Sequence, residues 1–409
     1  MPVYSTRSEA SIFKVFGDLG STTGEQTIYD PVIVSIGPYH YGVPHLQGME
    51  GQKTIYLQKL LSRLDEKTIH LMTTTFDAME EKARACYKHL NSLSSKNFQT
   101  MMMLDGCFII ELIRRYGISR LRDEAEAEAD PIIGDKLILQ KICRDLFLIE
   151  NQLPFFIMNE IFQLTKTEVD EDDIVSLCLH FVKGMYPNYI GESVMRGSET
   201  ENINHLLGLL DIHFCHPSSR MSPPDNIGKN KESGEISSIS SLLESGIRFK
   251  VVDGKTRVTD IKFNNRVLAI PRLTVVDHTE ALLQNLVAYE SSLPEGNQRV
   301  VSDYIFLIRC LIRTQEDVKL LQDYGIIFHL TSDDAEVSLL FNRLGQSLKT
   351  SEKFSYYDLF CEVNKQSARH RNKWKAKLHK NYLNNSWSTI SCILSCSWSI
   401  STRPRTDSI

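Results

Sequence analysis

Few residues in this chain combine the type and the spacing that chemistry demands. Gly254-Lys255-Thr256 invites comparison with a phosphate-cradling loop, whose backbone N–H groups surround the phosphates. That loop needs another glycine five residues before Gly254, and Phe249 stands there. The Asp253-Gly254 dipeptide between alternating apolar residues is better explained as a hairpin turn. His213-Phe214-Cys215-His216 holds three side chains able to ligate a metal. Zinc sites draw paired spacings from two segments, and no such second pair stands nearby. Cys392 and Cys396 could share a helical face, but no histidine is near them. Asp105, Glu111 and Glu150 lie within or beside apolar helices, where half-buried carboxylates can serve as acid and base. Arg114, Arg115 and Arg144 are equally available to neutralise them. Tyr39, His40 and His45 form the best aromatic and polar cluster for a binding loop. No nucleophile stands with a base and an orienting partner. The sequence thus assigns no catalytic, cofactor-binding or metal-ligating residue and predicts a non-enzymatic protein without a cofactor. The competing expectation is an enzyme whose site gathers distant residues such as Asp105, His40 and Glu150.

The elements that must position these residues are mostly helices. Leu57, Leu60, Leu61 and Leu64 mark one apolar face, and Leu104, Phe108, Leu112 and Ile113 a second that Gly117 should close. Leu139, Ile142, Leu146 and Ile149 mark a third, which Pro154 must break for want of an N–H. Phe155 to Leu164 resumes as a buried helix, and Asp173 ends an acidic run ahead of Ile174 to Met185. Alternation around Phe249, Val251, Val258, Ile261 and Phe263, then Val267 to Ile270, predicts a small antiparallel three-stranded meander near 247–270. Beyond Pro271, Asp277 and Glu280 read as a capping box, as do Thr314 and Asp317. Further stripes run through Val301–Ile312 and Val337–Leu348, and a last helix is predicted from about Phe354 to Leu383. The fold class is mainly α, a compact multi-helix body. Its predicted organisation is a flexible arm over 1–30, a globular body over 31–362 with a flexible Pro-, Gly- and Ser-rich loop at 216–237, and a basic tail over 363–409.

Charge supports that division. Of 409 residues, 46 are Lys or Arg and 51 are Asp or Glu, so the net charge is −5. A mildly acidic total argues against a nucleic-acid partner. Nine basic residues and no acidic one lie between Val363 and Thr406, which leaves −14 for the remainder. An uncharged stretch at 381–402 follows the first seven. That order suggests an anionic membrane surface as a partner. The apolar part, Trp387 to Ile400, is serine-rich and spans only about 21 Å against a hydrocarbon core of about 30 Å. Nine cysteines at irregular spacing do not form a disulfide framework, and no secretory signal opens the chain. Both favour a cytosolic body.

Several segments, taken in order, carry a resemblance. They are Val34-Ser35-Ile36-Gly37-Pro38-Tyr39-His40 with Met49-Glu50 and Lys53; Leu104-Asp105-Gly106-Cys107-Phe108; Glu150-Asn151-Gln152-Leu153-Pro154; Asp260-Ile261-Lys262-Phe263; Ile270-Pro271-Arg272-Leu273; Thr279-Glu280; and Phe341-Asn342-Arg343-Leu344. As a set they resemble the plant "domain of unknown function 247" family, from about Ser11 to Ser391. The resemblance implies a plant protein, one mostly helical unit and a C-terminal transmembrane helix. It also implies no assigned activity for most members, with some grass members linked to self-incompatibility as pollen-side candidates. Here Asn385-Ser386-Trp387 and a Ser- and Cys-rich stub replace the expected long apolar helix. The combined expectation is a recognition or signalling protein with a cytosolic body, held at a membrane by its tail, with an unknown protein partner. The alternatives are a soluble cytoplasmic scaffold or an enzyme with an unrecognised site.

Overall fold

The apolar stripes of the sequence become helices packed on one long central helix. The computed structural model describes residues 10–15, 27–90, 93–121, 130–166, 173–191, 203–214, 235–252, 256–294, 297–329, 333–346, 348 and 354–378. In the N-terminal half these form α1 (Glu50–Leu61), α2 (Glu66–Ala85), α3 (Ser95–Leu121), α4 (Lys136–Leu146), α5 (Phe155–Leu164) and α6 (Ile174–Met185). Asp65, Asp135 and Asp173 cap α2, α4 and α6 by accepting backbone N–H groups of the first turn, which would otherwise lack partners. Pro154 caps α5, so the chain restarts there as a separate helix. Helix α3 passes through Gly117 instead of stopping, because the local cost of about 1 kcal/mol is small beside its packing. Helices α1, α2, α5 and α6 all pack against α3. Gly106 permits the α5 approach, since a Cβ there would overlap the Ile161 side chain.

The C-terminal half contains α7 (Leu206–Phe214), α8 (Ile239–Glu244), α9 (Thr279–Ser292), α10 (Val300–Leu311), α11 (Gln315–Asp323), α12 (Asp334–Gln346) and α13 (Tyr357–Leu378). Helix α7 touches α6, α9 and α10 and so links the two halves. Buried apolar residues from Ile12 to Val363 form one continuous cluster. The capping box at Thr314 and Asp317 forms as expected. The one expected at Asp277 and Glu280 does not. His278 is the N-cap of α9, and Glu280 reaches across to Arg343 of α12 at 2.6 and 2.8 Å.

The fold is mainly α, with a small unclosed sheet of three strands, β1 (Arg248–Val252), β2 (Lys262–Asn264) and β3 (Val267–Pro271). The strand order is β1-β3-β2, and β1 runs parallel to β3 while β2 is antiparallel to it. The expected all-antiparallel meander is corrected on this point. The tight turn is Asn265-Arg266, with φ of 48° and 63°, the two left-handed positions that a two-residue hairpin turn requires. Asp253-Gly254 falls outside the described residues. Strand β1 uses the free edge of β3, placing buried Phe249 opposite buried Leu268. A second pair, unforeseen in the sequence, joins β4 (Leu273–Val275) in parallel to β5 (Ile327–His329).

Among the described residues no helix is long and apolar enough to cross a membrane. This corrects the expectation of a membrane-associated protein with a C-terminal transmembrane helix. Helix α13 has the length, at 22 residues, but carries Lys365, Arg369, Arg371, Lys373, Lys375 and Lys377, which hydrocarbon does not accommodate. The segment Trp387 to Ile400 and most of the 216–237 loop lie outside the described residues, as do Cys215, His216, Cys392 and Cys396.

Candidate functional site

Segments distant in sequence converge on the connection between α4 and α5. Asp145, at the end of α4, is fully buried and accepts the backbone N–H groups of Val32, Ile33 and Val34 at 2.7–3.1 Å. Arg144 donates to it at 2.7 Å and also to the Asp30 carbonyl. Asn151 continues the same seam, accepting from Ile36 N–H at 2.7 Å and donating to the Val34 carbonyl at 3.0 Å. Gln152 donates to the carbonyls of Leu146 and Leu148 and accepts from Leu207 N–H. The stretch 32–36 is thus pinned through its backbone by side chains more than 100 residues away. Burial pushes the Asp145 carboxyl upward, opposed by its three N–H donors and Arg144.

Beside this seam lies a buried ion pair. Lys53 of α1 and Asp105 of α3 are each 1% exposed. Lys53 Nζ donates to Asp105 at 2.7 Å, to Glu50 at 2.6 Å and to the Ser35 carbonyl. The other Asp105 oxygen accepts Gly37 N–H at 2.8 Å. Gly37 has φ +73°, and a Cβ there would lie 2.6 Å from the Gln152 carbonyl oxygen, so only glycine fits. Burial works against the Lys53 cation, but Asp105 and Glu50 outweigh it and raise its pKa above the ordinary lysine value. A lysine held protonated in this way is no nucleophile. Glu111 is taken in turn by Arg63 and by Arg115 at 2.8 Å.

Among the three polar residues of the predicted binding loop, Tyr39 and His45 make structural bonds. Tyr39 Oη donates to the Ile12 and Lys88 carbonyls, and His45 Nε2 lies 3.3 Å from the Pro31 carbonyl. His40 differs. It is 6% exposed, and its Nε2 has no hydrogen-bond partner. That atom lies 3.5 Å from Glu150 Oε2, while Glu150 Oε1 accepts Val15 N–H at 2.7 Å. Asp30 joins them. One ligand atom each from Asp30, His40 and Glu150 falls within a sphere where all lie within 4.8 Å of one another. Asp30 Oδ2 accepts from the N–H and hydroxyl of Thr27, at 2.7 and 2.8 Å. The negative charge of Glu150 adds to burial in raising the pKa of Tyr29 and of Tyr39. Among the described residues this is the one group of three His, Cys, Asp or Glu side chains arranged to hold a metal ion.

Two of the three residues considered for an assembled site, His40 and Glu150, therefore meet, and Asp105 is engaged separately by Lys53 and Gly37. Asp30 and Asp145 carried no functional reading in the sequence. The signal for Asp30 was the Asp-Pro step, a turn former ahead of a β-prone run. Asp145 offered none, because its partners are backbone groups.

The family model for plant proteins of unknown function, DUF247, matches residues 12–400. The chain belongs to that family. This DUF247 chain is similar to the UPF0481 protein At3g47200 of Arabidopsis thaliana, 27% identical over 385 residues that cover 89% of this chain and 79% of the relative. It is also similar to the putative UPF0481 protein At3g02645 of the same plant, 24% identical over 454 residues that cover 88% and 83%. No solved structure matches it. The family description and both names carry no term for membrane, pollen or self-incompatibility. Those three expectations are accordingly corrected to the bare DUF247 assignment. Of the segments that carried the resemblance, those at 34–40, Lys53, Asp105 and 150–154 converge in this seam.

Two buried histidines make the stability of this chain depend on pH. Burial depresses His205 to about 3 and His278 to about 4, from an ordinary value of 6.5. His278 stands edge-on to Tyr186, with ring centroids 4.9 Å apart. A depressed histidine binds its proton more readily unfolded, so its contribution is complete above pH 6.5 and is lost as pH falls toward the folded value. The stability difference between the native chain and His278→Gln is expected to shrink by about 1.4 kcal/mol per pH unit from pH 6.5 to 4. Paired denaturant titrations across that range check it, and a pH-independent difference would contradict it.

Proposed function

We propose that this chain is a non-enzymatic scaffold that binds a protein partner. What carries the reading is the use made of its buried ionisable groups. Lys53 and Asp105 neutralise each other, and Glu111 is held by Arg63 and Arg115. Asp145 holds three backbone N–H groups, and Glu290 caps the start of α10 through Val301 and Ser302. Each holds one segment against another. The thiols point the same way. Burial pushes Cys178 and Cys310 up to about 12 and raises Cys107 and Cys143 still further, the opposite of an activated nucleophile.

Exposed apolar side chains supply a surface for the partner. Phe328 on β5 is 51% exposed and Leu339 on α12 is 55% exposed. Helix α11 packs against both β5 and α12. Strand β5 pairs only with β4 among the described residues, so its second edge carries no strand there. The test is affinity capture from plant tissue with the full chain, compared with Phe328→Asp/Leu339→Asp and with Leu71→Asp as a distant exposed control. A partner recovered by the native chain and the control should drop about tenfold or more with the double variant, as loss of anchoring residues does. Equal recovery of every captured protein by all three would overturn the proposal.

A further inference from the structure

The geometry points to a divalent transition-metal site formed by the carboxylates of Asp30 and Glu150 and by Nε2 of His40. Two independent observations support it. One ligand atom from each of the three side chains lies within 4.8 Å of the other two. His40, more than nine-tenths buried, turns toward Glu150 a ring nitrogen that no hydrogen bond satisfies. Burying such an atom without a partner is costly. Its distance from Glu150 Oε2 is 3.5 Å. Two ligands on one tetrahedral ion with bonds of about 2.1 Å stand about 3.4 Å apart, so this spacing suits two donors on a shared cation.

The donor set selects the ion. One imidazole with two carboxylates suits zinc, manganese or cobalt, whereas calcium takes six to eight oxygen ligands. Each carboxylate has one oxygen engaged in hydrogen bonds. Glu150 Oε1 holds Val15 N–H, and Asp30 Oδ2 holds Thr27. These bonds orient the ligands from outside, as hydrogen bonds around metal ligands commonly do. The cation would join the turn at Thr27–Asp30, the loop carrying His40 and the connection after α4. Through Val15 it also reaches the N-terminal segment, which packs at Ile12 against Cys86 and Lys88 by backbone bonds of 3.0 and 2.9 Å. Its role is to fasten this segment to the helical body.

The test uses the full chain, freed of metal by chelator and dialysed, then titrated with Co²⁺ followed by visible absorption and with Zn²⁺ by calorimetry. The expected result is one equivalent of either ion, a ligand-field band with Co²⁺, and a higher unfolding temperature with Zn²⁺, because an ion that binds only the folded state stabilises it. Asp30→Asn alters a half-buried ligand at little risk to the fold, and His40→Ala removes the nitrogen. Each should weaken binding by more than about 100-fold, beyond the roughly 10–100-fold that loss of an outer partner causes. Absence of stoichiometric binding, the result for a plain His–carboxylate pair, would overturn the inference. So would binding that persists in both variants, since the ion would then be held elsewhere.

Discussion

Replacing Lys53 by Met is expected to lower the unfolding free energy by about 3–5 kcal/mol, the cost of leaving a buried ion without its partner. Lys53 and Asp105 are both 1% exposed, so solvent screens neither. The methionine keeps the apolar stem but leaves the Asp105 carboxylate with only Gly37 N–H, and it strands the Ser35 carbonyl. The compensating variant separates charge from packing. In Lys53→Met/Asp105→Asn the buried negative charge is gone, while the amide oxygen can still accept Gly37 N–H. This double variant should recover about half of the loss or more, since replacing both members of a buried pair is far less damaging than removing one. Denaturant midpoints at unchanged slope are the measurement. A Lys53→Met loss below about 1 kcal/mol would mean that Asp105 finds another partner or water.

The helices were legible because their packing repeats locally. Val301, Ile305, Ile308 and Ile312 are all buried, and a stripe of that period has few other solutions. Caps were legible where donor and acceptor lie within one turn, as at Asp173 and Thr314. Glu280 shows the limit. Its local pattern matches a capping box, but Arg343 on another helix claims both of its oxygens. The sheet shows the same competition. Asp253-Gly254 is a strong hairpin signal, yet β1 pairs with β3, and the edge of β3 is visible only after β2 has turned back at Asn265-Arg266.

The candidate site was legible only in pieces. His40 and Glu150 stood out by residue type, but their meeting depends on the connection after α4 folding against a loop 110 positions earlier in the sequence. Asp30 was assigned to an arm because Ser, Thr and Gly surround it in sequence. Its carboxylate closes a turn with Thr27, and Arg144 holds its carbonyl. The basic tail shows a further limit. A row of Lys and Arg ahead of an uncharged stretch resembles a membrane-proximal segment, yet the row itself forms a charged helix. Charge order along a sequence is weaker evidence than the apolar length that a crossing helix needs.

The second large effect should come from Asp145. Asp145→Ala removes the acceptor for the N–H groups of Val32, Ile33 and Val34 and the partner of Arg144. Each backbone donor left buried without a partner costs about 1–3 kcal/mol. Val32 and Ile33 are not fully buried and regain some water, so the expected loss is about 3–5 kcal/mol in all. Asp145→Asn is the informative companion. Oδ2 accepts all three N–H groups, while Oδ1 accepts from Arg144 and shares the Val32 N–H. An asparagine can therefore keep the backbone cradle with its oxygen, but it turns an amide NH₂ toward the guanidinium. Its loss should be about half that of alanine. Amide hydrogen exchange gives the sharper reading, because the N–H groups of 32–34 should lose protection in the alanine variant and keep most of it with asparagine. Equal protection in both would mean that the loop is held by Asn151 through Ile36 and Val34, with Asp145 serving only to neutralise Arg144.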